Sequence, residues 1–217
     1  MANRAATERE WQAVTRLTVQ RDEVAILMID VQPYFLDGWM AGASEPLLAR
    51  LEYLLGLANA YDLPCAATFE EPVAKKGWLP KRLQPFFPAQ GERFTKNTFD
   101  CCGEAAIREA LARLGRSQFA VAGGETDVCV LQSVLGLIDA GYQVFLLEDC
   151  LFSSDPQVGP AIRRMEQAGA VPSTVKTLSY ELRRSVAEAS ARDLLAGRSP
   201  GMRMVEPEEL PEWQVPA

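Results

Sequence analysis

Histidine is absent from this chain of 217 residues. Imidazole is the side chain that most often moves protons near neutral pH, so acid–base chemistry here must use Asp, Glu, Lys or Arg. The absence also argues against a metal centre, because a zinc site without histidine needs four well-spaced thiolates. The adjacent pair Cys101–Cys102 is too close for that spacing. We therefore expect no structural or catalytic metal.

Positive charge and long apolar runs are also scarce. The chain has 22 Lys and Arg against 29 Asp and Glu, for a formal net charge of −7, whereas binding to nucleic acid needs a basic face. No apolar run reaches the roughly 18 residues of a membrane span, and the N-terminus is polar, so neither a membrane partner nor a signal peptide is expected. The five cysteines are an odd number without framework spacing, which is typical of reduced thiols in a cytoplasmic protein.

Short apolar segments alternate along the chain with segments of helical periodicity. The run from Val24 to Ile29 is typical of a strand buried on both faces. Further strands are predicted at residues 64–69, 93–95, 119–122, 142–147 and 170–172. Helices are predicted at residues 43–61, 105–114, 128–140 and 156–168, with a loop at 70–91. This alternation predicts an α/β domain whose mostly parallel sheet is covered by helices on both faces.

Two terminal segments fall outside this alternation. We divide the chain into an N-terminal extension at residues 1–21, one domain at 22–197 and a Pro-rich, acidic C-terminal tail at 198–217. The tail carries apolar side chains such as Met202 and Trp213. It is interpreted either as a disordered tail or as an arm that docks on a neighbouring subunit.

The ten residues from Gly123 to Gln132 carry the most informative chemical signal. A predicted strand ends in two glycines, and Cys129 follows in the first turn of the next predicted helix. Unpaired N–H groups and the positive end of the helix dipole lower the pKa of a thiol there and favour a nucleophile. A cysteine among apolar residues is more often part of an inert core, and Cys65 and Cys150 are interpreted in that way.

Two charged residues also follow predicted strands. Asp30 comes directly after the first strand and Lys96 after the third. In an open parallel sheet, ligands bind beyond the carboxyl ends of the strands, where the winding reverses. If the first and fourth strands are neighbours, Asp30 and Cys129 meet at that point. Asp30 then takes the thiol proton, while Lys96 favours the thiolate and keeps Asp30 ionised. The competing interpretations are a loop cap for Asp30 and a surface charge for Lys96.

Four stretches together resemble the isochorismatase-like cysteine hydrolases, a superfamily that includes nicotinamidases and N-carbamoylsarcosine amidohydrolase. The stretches are residues 27–35, 96–103, 123–130 and 147–154, and their order and spacing match over about residues 20–180. The resemblance implies a three-layer α/β/α fold with a six-stranded sheet and Rossmann-like winding. It also implies a catalytic triad of Asp30, Lys96 and Cys129.

The same resemblance implies further features of the site. The peptide bond between Gly124 and Glu125 is expected to be cis, and the backbone N–H groups of Glu125 and Cys129 are expected to form an oxyanion hole. Phe35 matches an aromatic residue that lines the substrate pocket in this family. Metal-dependent nicotinamidases hold zinc with an aspartate and two histidines, so a nicotinamidase of that type is not expected here.

The expected activity is hydrolysis of a small amide, carbamoyl or related C–N bond through a thioester, without a cofactor. Two alternatives stay open: an isochorismatase-type vinyl ether hydrolase, which needs an acid but no thiol nucleophile, and a catalytically silent member that binds a metabolite. The resemblance also suggests a homo-oligomer, either a dimer or a tetramer, that acts on a small-molecule substrate.

Several other residues have less specific interpretations. Glu70 and Glu71 are interpreted as loop carboxylates, and the basic stretch at residues 75–82 as a solvated loop rather than a cover over the pocket. Cys101 and Cys102 are interpreted as packing residues, with a place at the rim of the site as the alternative.

Overall fold

The computed structural model describes residues 17–185. Most of the predicted N-terminal extension lies outside the described residues. The predicted tail at 198–217 also lies outside them, and so do both of its interpretations, as a disordered tail or as an arm docked on a neighbouring subunit. Within the described part of the chain, no helix is both long and apolar enough to cross a membrane.

Six strands form one sheet in which every neighbouring pair is parallel. The strands are β1 (Val24–Ile29), β2 (Cys65–Glu70), β3 (Glu92–Lys96), β4 (Gln118–Gly124), β5 (Gln143–Phe152) and β6 (Val171–Ser173). Their order across the sheet is β3-β2-β1-β4-β5-β6. The chain therefore winds outward in one direction from β1 and in the other direction from β4. The predicted α/β fold with six strands is confirmed.

Seven α-helices accompany the sheet within residues 17–185. They are α1 (Pro33–Gly38), α2 (Ser44–Ala60), α3 (Val73–Lys76), α4 (Ala105–Arg113), α5 (Leu131–Asp139), α6 (Gly159–Ala168) and α7 (Val175–Arg183). A π-helical turn at Thr126–Val130 leads into α5, and 3₁₀ turns cover Gln84–Phe86 and Cys101–Gly103.

Alternate side chains of β1 enter two separate hydrophobic cores. Ile26 and Met28 pack with residues of α2 and α7 on one face of the sheet. Leu27 and Ile29 pack with residues of α4, α5 and α6 on the other face. Because side chains alternate along a strand, an uninterrupted apolar run is what a strand covered on both faces requires. All six residues of β1 are buried.

Several helical details differ from the sequence prediction. The predicted loop at 70–91 contains the short helix α3 and the 3₁₀ turn Gln84–Phe86. The short α1 begins at Pro33. The helix α7 begins after Thr174, whose side chain accepts a hydrogen bond from the Thr177 N–H at 3.1 Å. Neither helix was predicted, although Pro at N1 and Thr at the N-cap are ordinary start signals. The prediction of a helix from Pro156 is wrong at its start. The Asp155 carboxylate accepts the Gln157 N–H at 2.8 Å, which makes a local turn, and α6 begins only at Gly159.

The two glycines at the end of β4 permit close contact with neighbouring strands. Gly123 has a φ of +123°, and a Cβ there would lie 1.9 Å from the Ile29 carbonyl oxygen. A Cβ on Gly124 would lie 2.4 Å from the Phe152 ring. A larger residue at Gly123 would therefore push β4 away from β1, and one at Gly124 would clash with β5, at the edge where Asp30 and Cys129 emerge.

We expect Gly123→Ala to lower the free energy of unfolding by roughly 3 kcal/mol or more, because it combines a backbone clash with an unfavourable φ. Gly141→Ala is the matched control, since Gly141 has a φ of +89° but no atom within 4 Å of a built Cβ. That variant should lose only about 1 kcal/mol. Equilibrium denaturant unfolding measures both, and equal losses would contradict the role assigned to close strand contact.

Candidate active site

The reversal of winding between β1 and β4 brings together residues that are far apart in sequence. Asp30 follows β1, Cys129 lies in the π-helical turn after β4, and Lys96 is the last residue of β3. Asp30 has a φ of +49°, in the left-handed region that Asp tolerates better than most residues. The carboxyl ends of these parallel strands share one edge of the sheet, so their side chains meet there.

Asp30 and Lys96 form a fully buried ion pair. The Lys96 Nζ lies 2.7 Å from the Asp30 Oδ2, and both side chains have 0% exposure. Thr68 donates a hydrogen bond to the other Asp30 oxygen at 3.0 Å, and Lys96 donates to the Thr98 carbonyl at 3.0 Å. The burial of both side chains argues against a loop cap for Asp30 and against a surface charge for Lys96.

Burial and pairing act in opposite directions on the pKa values of this pair. Burial raises the pKa of Asp30, although the Lys96 ammonium opposes the shift. Burial alone would lower the pKa of Lys96, but the negative charge of Asp30, with Cys129, raises it above its ordinary value. Lys96 therefore stays an ammonium, and the Asp30 carboxylate is a stronger base than an exposed aspartate.

Cys129 lies beside this pair with its thiol between two carboxylates. Its sulfur donates a hydrogen bond to the Glu70 Oε2 at 3.3 Å, and ligand atoms of Asp30, Glu70 and Cys129 all lie within 4.8 Å of one another. Burial, followed by the Asp30 charge, raises the pKa of the thiol, and Lys96 lowers it by less. The prediction of a lowered thiol pKa is thus wrong, because the sequence argument underestimated burial and did not include Glu70. Cys129 is a thiol at neutral pH and needs a base.

Glu70 and Lys76 are site residues that the sequence analysis missed. Glu70 is the last residue of β2, not a loop carboxylate, and its side chain forms an ion pair with Lys76 of α3. Lys76 is only 13% exposed, so the basic stretch is not simply solvated. The position of Glu70 at the end of the strand next to β1 was the available signal, but the predicted strand ended at residue 69.

A cavity of about 390 Å³ opens above the Cys129 sulfur. Four aromatic residues line it, namely Tyr34, Phe35, Trp39 and Phe99, together with Glu70, Lys76, Glu125 and Val128. Phe35 therefore lies where the resemblance placed it. The peptide bond between Gly124 and Glu125 is cis, and Glu125 lies at the cavity wall. A cavity of this size, with aromatic and charged residues in its lining, suits a small ligand.

Two clusters of oxygen and sulfur atoms have the proximity of metal ligands among residues 17–185. One consists of Asp30, Glu70 and Cys129, and the other of Asp100, Cys101 and Cys102. In the first, a cation would sit next to the Lys96 ammonium that already neutralises Asp30. In the second, one Asp100 oxygen already accepts the Cys102 N–H at 2.7 Å. Neither arrangement favours a metal over the contacts present, and the absence of a metal stays a prediction.

The remaining cysteines belong to the packed interior. Cys65 and Cys150 are buried in β2 and β5. Cys101 and Cys102 lie in a buried 3₁₀ turn, where the Cys101 N–H donates to the Ser133 hydroxyl of α5 at 2.9 Å. This arrangement favours the packing interpretation for both residues over a place at the rim of the cavity.

The parallel sheet covered on both faces, with a thiol, a carboxylate and an ammonium at its switch point, places this protein in the class of three-layer α/β proteins with a site at the carboxyl edge of the sheet. The model of the isochorismatase domain matches residues 24–177, and the chain belongs to the isochorismatase family. The predicted membership of the isochorismatase-like superfamily is confirmed.

Known relatives match most of the chain. Isochorismatase family protein 1B of Dictyostelium discoideum is 34% identical over 182 residues, which cover 79% of this chain and 84% of that protein. YcaC from Pseudomonas aeruginosa superposes with a TM-score of 0.75 at 23% identity, covering 81% of this chain and 87% of that one. YcaC from Escherichia coli, described as an octameric hydrolase of unknown specificity, has a TM-score of 0.73 at 24% identity, with 81% and 89% covered.

The charges around Cys129 predict how its alkylation responds to mutation. Asp30→Asn removes a charge that raises the thiol pKa, so it increases the fraction of Cys129 that is already thiolate at about pH 8. Iodoacetamide reacts with that thiolate and should react faster, by roughly three- to tenfold for each unit the pKa falls. Lys96→Met removes the opposing charge and should slow the reaction. Peptide mapping by mass spectrometry gives the rates, and a thermal melt verifies that each variant is folded. Rates that change in the same direction in both variants would contradict this electrostatic account.

Proposed function

We propose that this protein is a cysteine hydrolase that cleaves a small amide or carbamoyl C–N bond through a thioester on Cys129. The observation that carries the proposal is the thiol at the floor of the aromatic cavity, next to a fully buried Asp30–Lys96 pair. A nucleophile, a base and a fixed positive charge within reach of one another are the groups that acyl transfer needs.

In the first half of the reaction, Asp30 accepts the proton from the Cys129 sulfur as that sulfur bonds to the substrate carbonyl carbon. The carbonyl π electrons move to oxygen, and the resulting oxyanion accepts hydrogen bonds from the backbone N–H groups of Glu125 and Cys129. Collapse of this intermediate breaks the C–N bond, and Asp30 returns its proton to the leaving nitrogen. Ammonia or an amine departs, and the acyl group stays on sulfur.

In the second half, Asp30 takes a proton from water as its oxygen attacks the thioester carbon. The C–S bond then breaks, the acid leaves, and the proton on Asp30 returns to sulfur. Lys96 supports both halves, because a buried ammonium stabilises the carboxylate before each proton transfer and the thiolate as it forms. Neither half of this scheme requires a cofactor.

Two alternative functions are vinyl ether hydrolysis and the binding of a metabolite without catalysis. Neither of them accounts for a thiol placed beside a buried ion pair. Vinyl ether hydrolysis needs a proton donor, and the thiol between two carboxylates has no role in it. A protein that only binds a metabolite has no need for an ion pair buried beneath a thiol, since burying charges is costly unless they are well paired.

Homo-oligomer formation is part of the proposal, because the Escherichia coli YcaC neighbour is described as octameric. Trp39, at the cavity wall, is 54% exposed and is a candidate for contact with a second copy of this chain. Sedimentation velocity at micromolar concentration should therefore show a species larger than the 23.9 kDa monomer. A pure monomer would contradict this part of the proposal.

We expect the wild-type protein to release ammonia from small primary amides or N-carbamoyl compounds and to show an acyl adduct on Cys129 when quenched for mass spectrometry. Cys129→Ser should lose activity by roughly 10³-fold or more, because a nucleophile is removed. Cys102→Ala is the matched control, since Cys102 does not line the cavity, and it should keep its activity. Full activity in Cys129→Ser, or turnover of a vinyl ether alone, would contradict the proposed function.

A further inference from the structure

Two carboxylate–lysine pairs lie beside the Cys129 thiol, and the proposed mechanism uses only one of them. The Asp30–Lys96 pair is fully buried, whereas the Glu70–Lys76 pair lines the cavity, with side chains 17% and 13% exposed. One Glu70 oxygen, Oε1, accepts from the Lys76 ammonium, and the other, Oε2, accepts from the thiol at 3.3 Å. The second pair thus faces the place where a substrate would bind.

Glu70 is held firmly by the buried amide of Gln32. The Gln32 Oε1 accepts the Glu70 backbone N–H at 2.8 Å, while its Nε2 donates to the Glu70 carbonyl at 3.2 Å and to the Gly77 carbonyl at 2.8 Å. Gln32 itself has 0% exposure. The carboxylate therefore projects from a fixed strand end, which is the precision that hydrogen-bond recognition requires.

The positive charge of Lys76 is already engaged by groups of the protein. Its ammonium donates to the Glu70 carboxylate and, at 2.8 Å, to the Glu71 carbonyl, and it lies 5.6 Å from the centre of the Phe35 ring. Glu125 also lines the cavity, and its carboxylate accepts a hydrogen bond from the Ser154 N–H at 3.0 Å. The lining is thus acidic on balance, which disfavours a substrate that carries its own carboxylate or phosphate.

We propose that Glu70 selects a neutral primary carboxamide, by accepting a hydrogen bond from the substrate NH₂ group at Oε2. This inference rests on the function proposed above. When Cys129 gives its proton to Asp30 and bonds to carbon, Oε2 loses its thiol donor and becomes available to the substrate nitrogen. The apolar part of the substrate packs against Tyr34, Phe35, Trp39 and Phe99. An ester of the same acyl group has no N–H and leaves the carboxylate unsatisfied.

The test compares a primary amide with the methyl ester of the same apolar acyl group. In Glu70→Leu, which removes the acceptor, kcat/KM for the amide should fall by about 10- to 100-fold, as expected for loss of a hydrogen bond to a charged group. Loss of the Glu70 contact with the thiol acts on both substrates alike, so the ratio of kcat/KM for the amide to that for the ester should fall by about tenfold or more, because the ester never donated that hydrogen bond. Glu71→Gln is the matched control and should leave both substrates unchanged, since the Glu71 carboxylate binds the Val73 N–H instead.

A second comparison uses charge. Glu70→Gln keeps an acceptor but releases Lys76, so turnover of an amide that carries a carboxylate should rise relative to the neutral amide. This change tests the effect of the Glu70 charge on the cavity lining, whereas the amide-to-ester ratio tests the hydrogen bond to the substrate. An equal loss on amide and ester, or no loss on either, overturns the assignment of Glu70 while leaving the thioester mechanism intact. If Cys129→Ser hydrolyses the amide as fast as the wild-type protein, it is the proposed function that fails.

Discussion

The ion pair between Asp30 and Lys96 is the interaction on which the rest of this site depends. Two opposite charges with 0% exposure are costly to remove from water, and only close contact and further hydrogen bonds offset that cost. Here the 2.7 Å contact is supplemented by the Thr68 hydroxyl and the Thr98 carbonyl. Removing one partner of such a pair typically destabilises a protein by about 3–5 kcal/mol. The pair therefore requires β1, β2 and β3 to end at the same edge of the sheet.

Because the chain has no histidine, the Asp30 carboxylate of this pair is the base that we propose for the thiol. The usual base for a cysteine nucleophile is an imidazole, and in the proposed mechanism the Asp30 carboxylate takes that role. A solvated aspartate is a weak base, but burial raises the pKa of Asp30, and Lys96 keeps the charged form accessible. Burial likewise raises the pKa of Cys129, so the nucleophile is generated only when the base acts. The same desolvation thus raises the pKa of both groups, which makes Asp30 a stronger base and keeps Cys129 protonated.

The residues of the site differ in how much of their position the sequence reveals. Asp30, Lys96 and Cys129 each follow an apolar or extended segment, and in a parallel sheet such positions converge on one edge. Glu70 occupies an equivalent position at the end of β2. The sequence pattern does not fix the last residue of a strand, and the predicted strand ended one residue too early, so Glu70 was assigned to the loop. Lys76 was missed because its ion-pair partner is visible only once β2 and α3 are placed together.

The sequence by itself determined the α/β class, the parallel sheet and the positions of Asp30, Lys96 and Cys129, because apolar periodicity and strand-end positions depend on local order along the chain. The family followed from the resemblance of four short stretches. Only the tertiary structure decided the protonation state of Cys129, the Glu70–Lys76 pair and the clamp formed by Gln32. The protonation state of Cys129 and the Gln32 clamp depend on desolvation and on contacts between segments distant in sequence, such as the 59-residue separation of Glu70 and Cys129. The Glu70–Lys76 pair spans only six residues, but it forms because β2 ends at Glu70 and α3 turns back toward it. Desolvation and these contacts are properties of the packed molecule, and no local pattern encodes them.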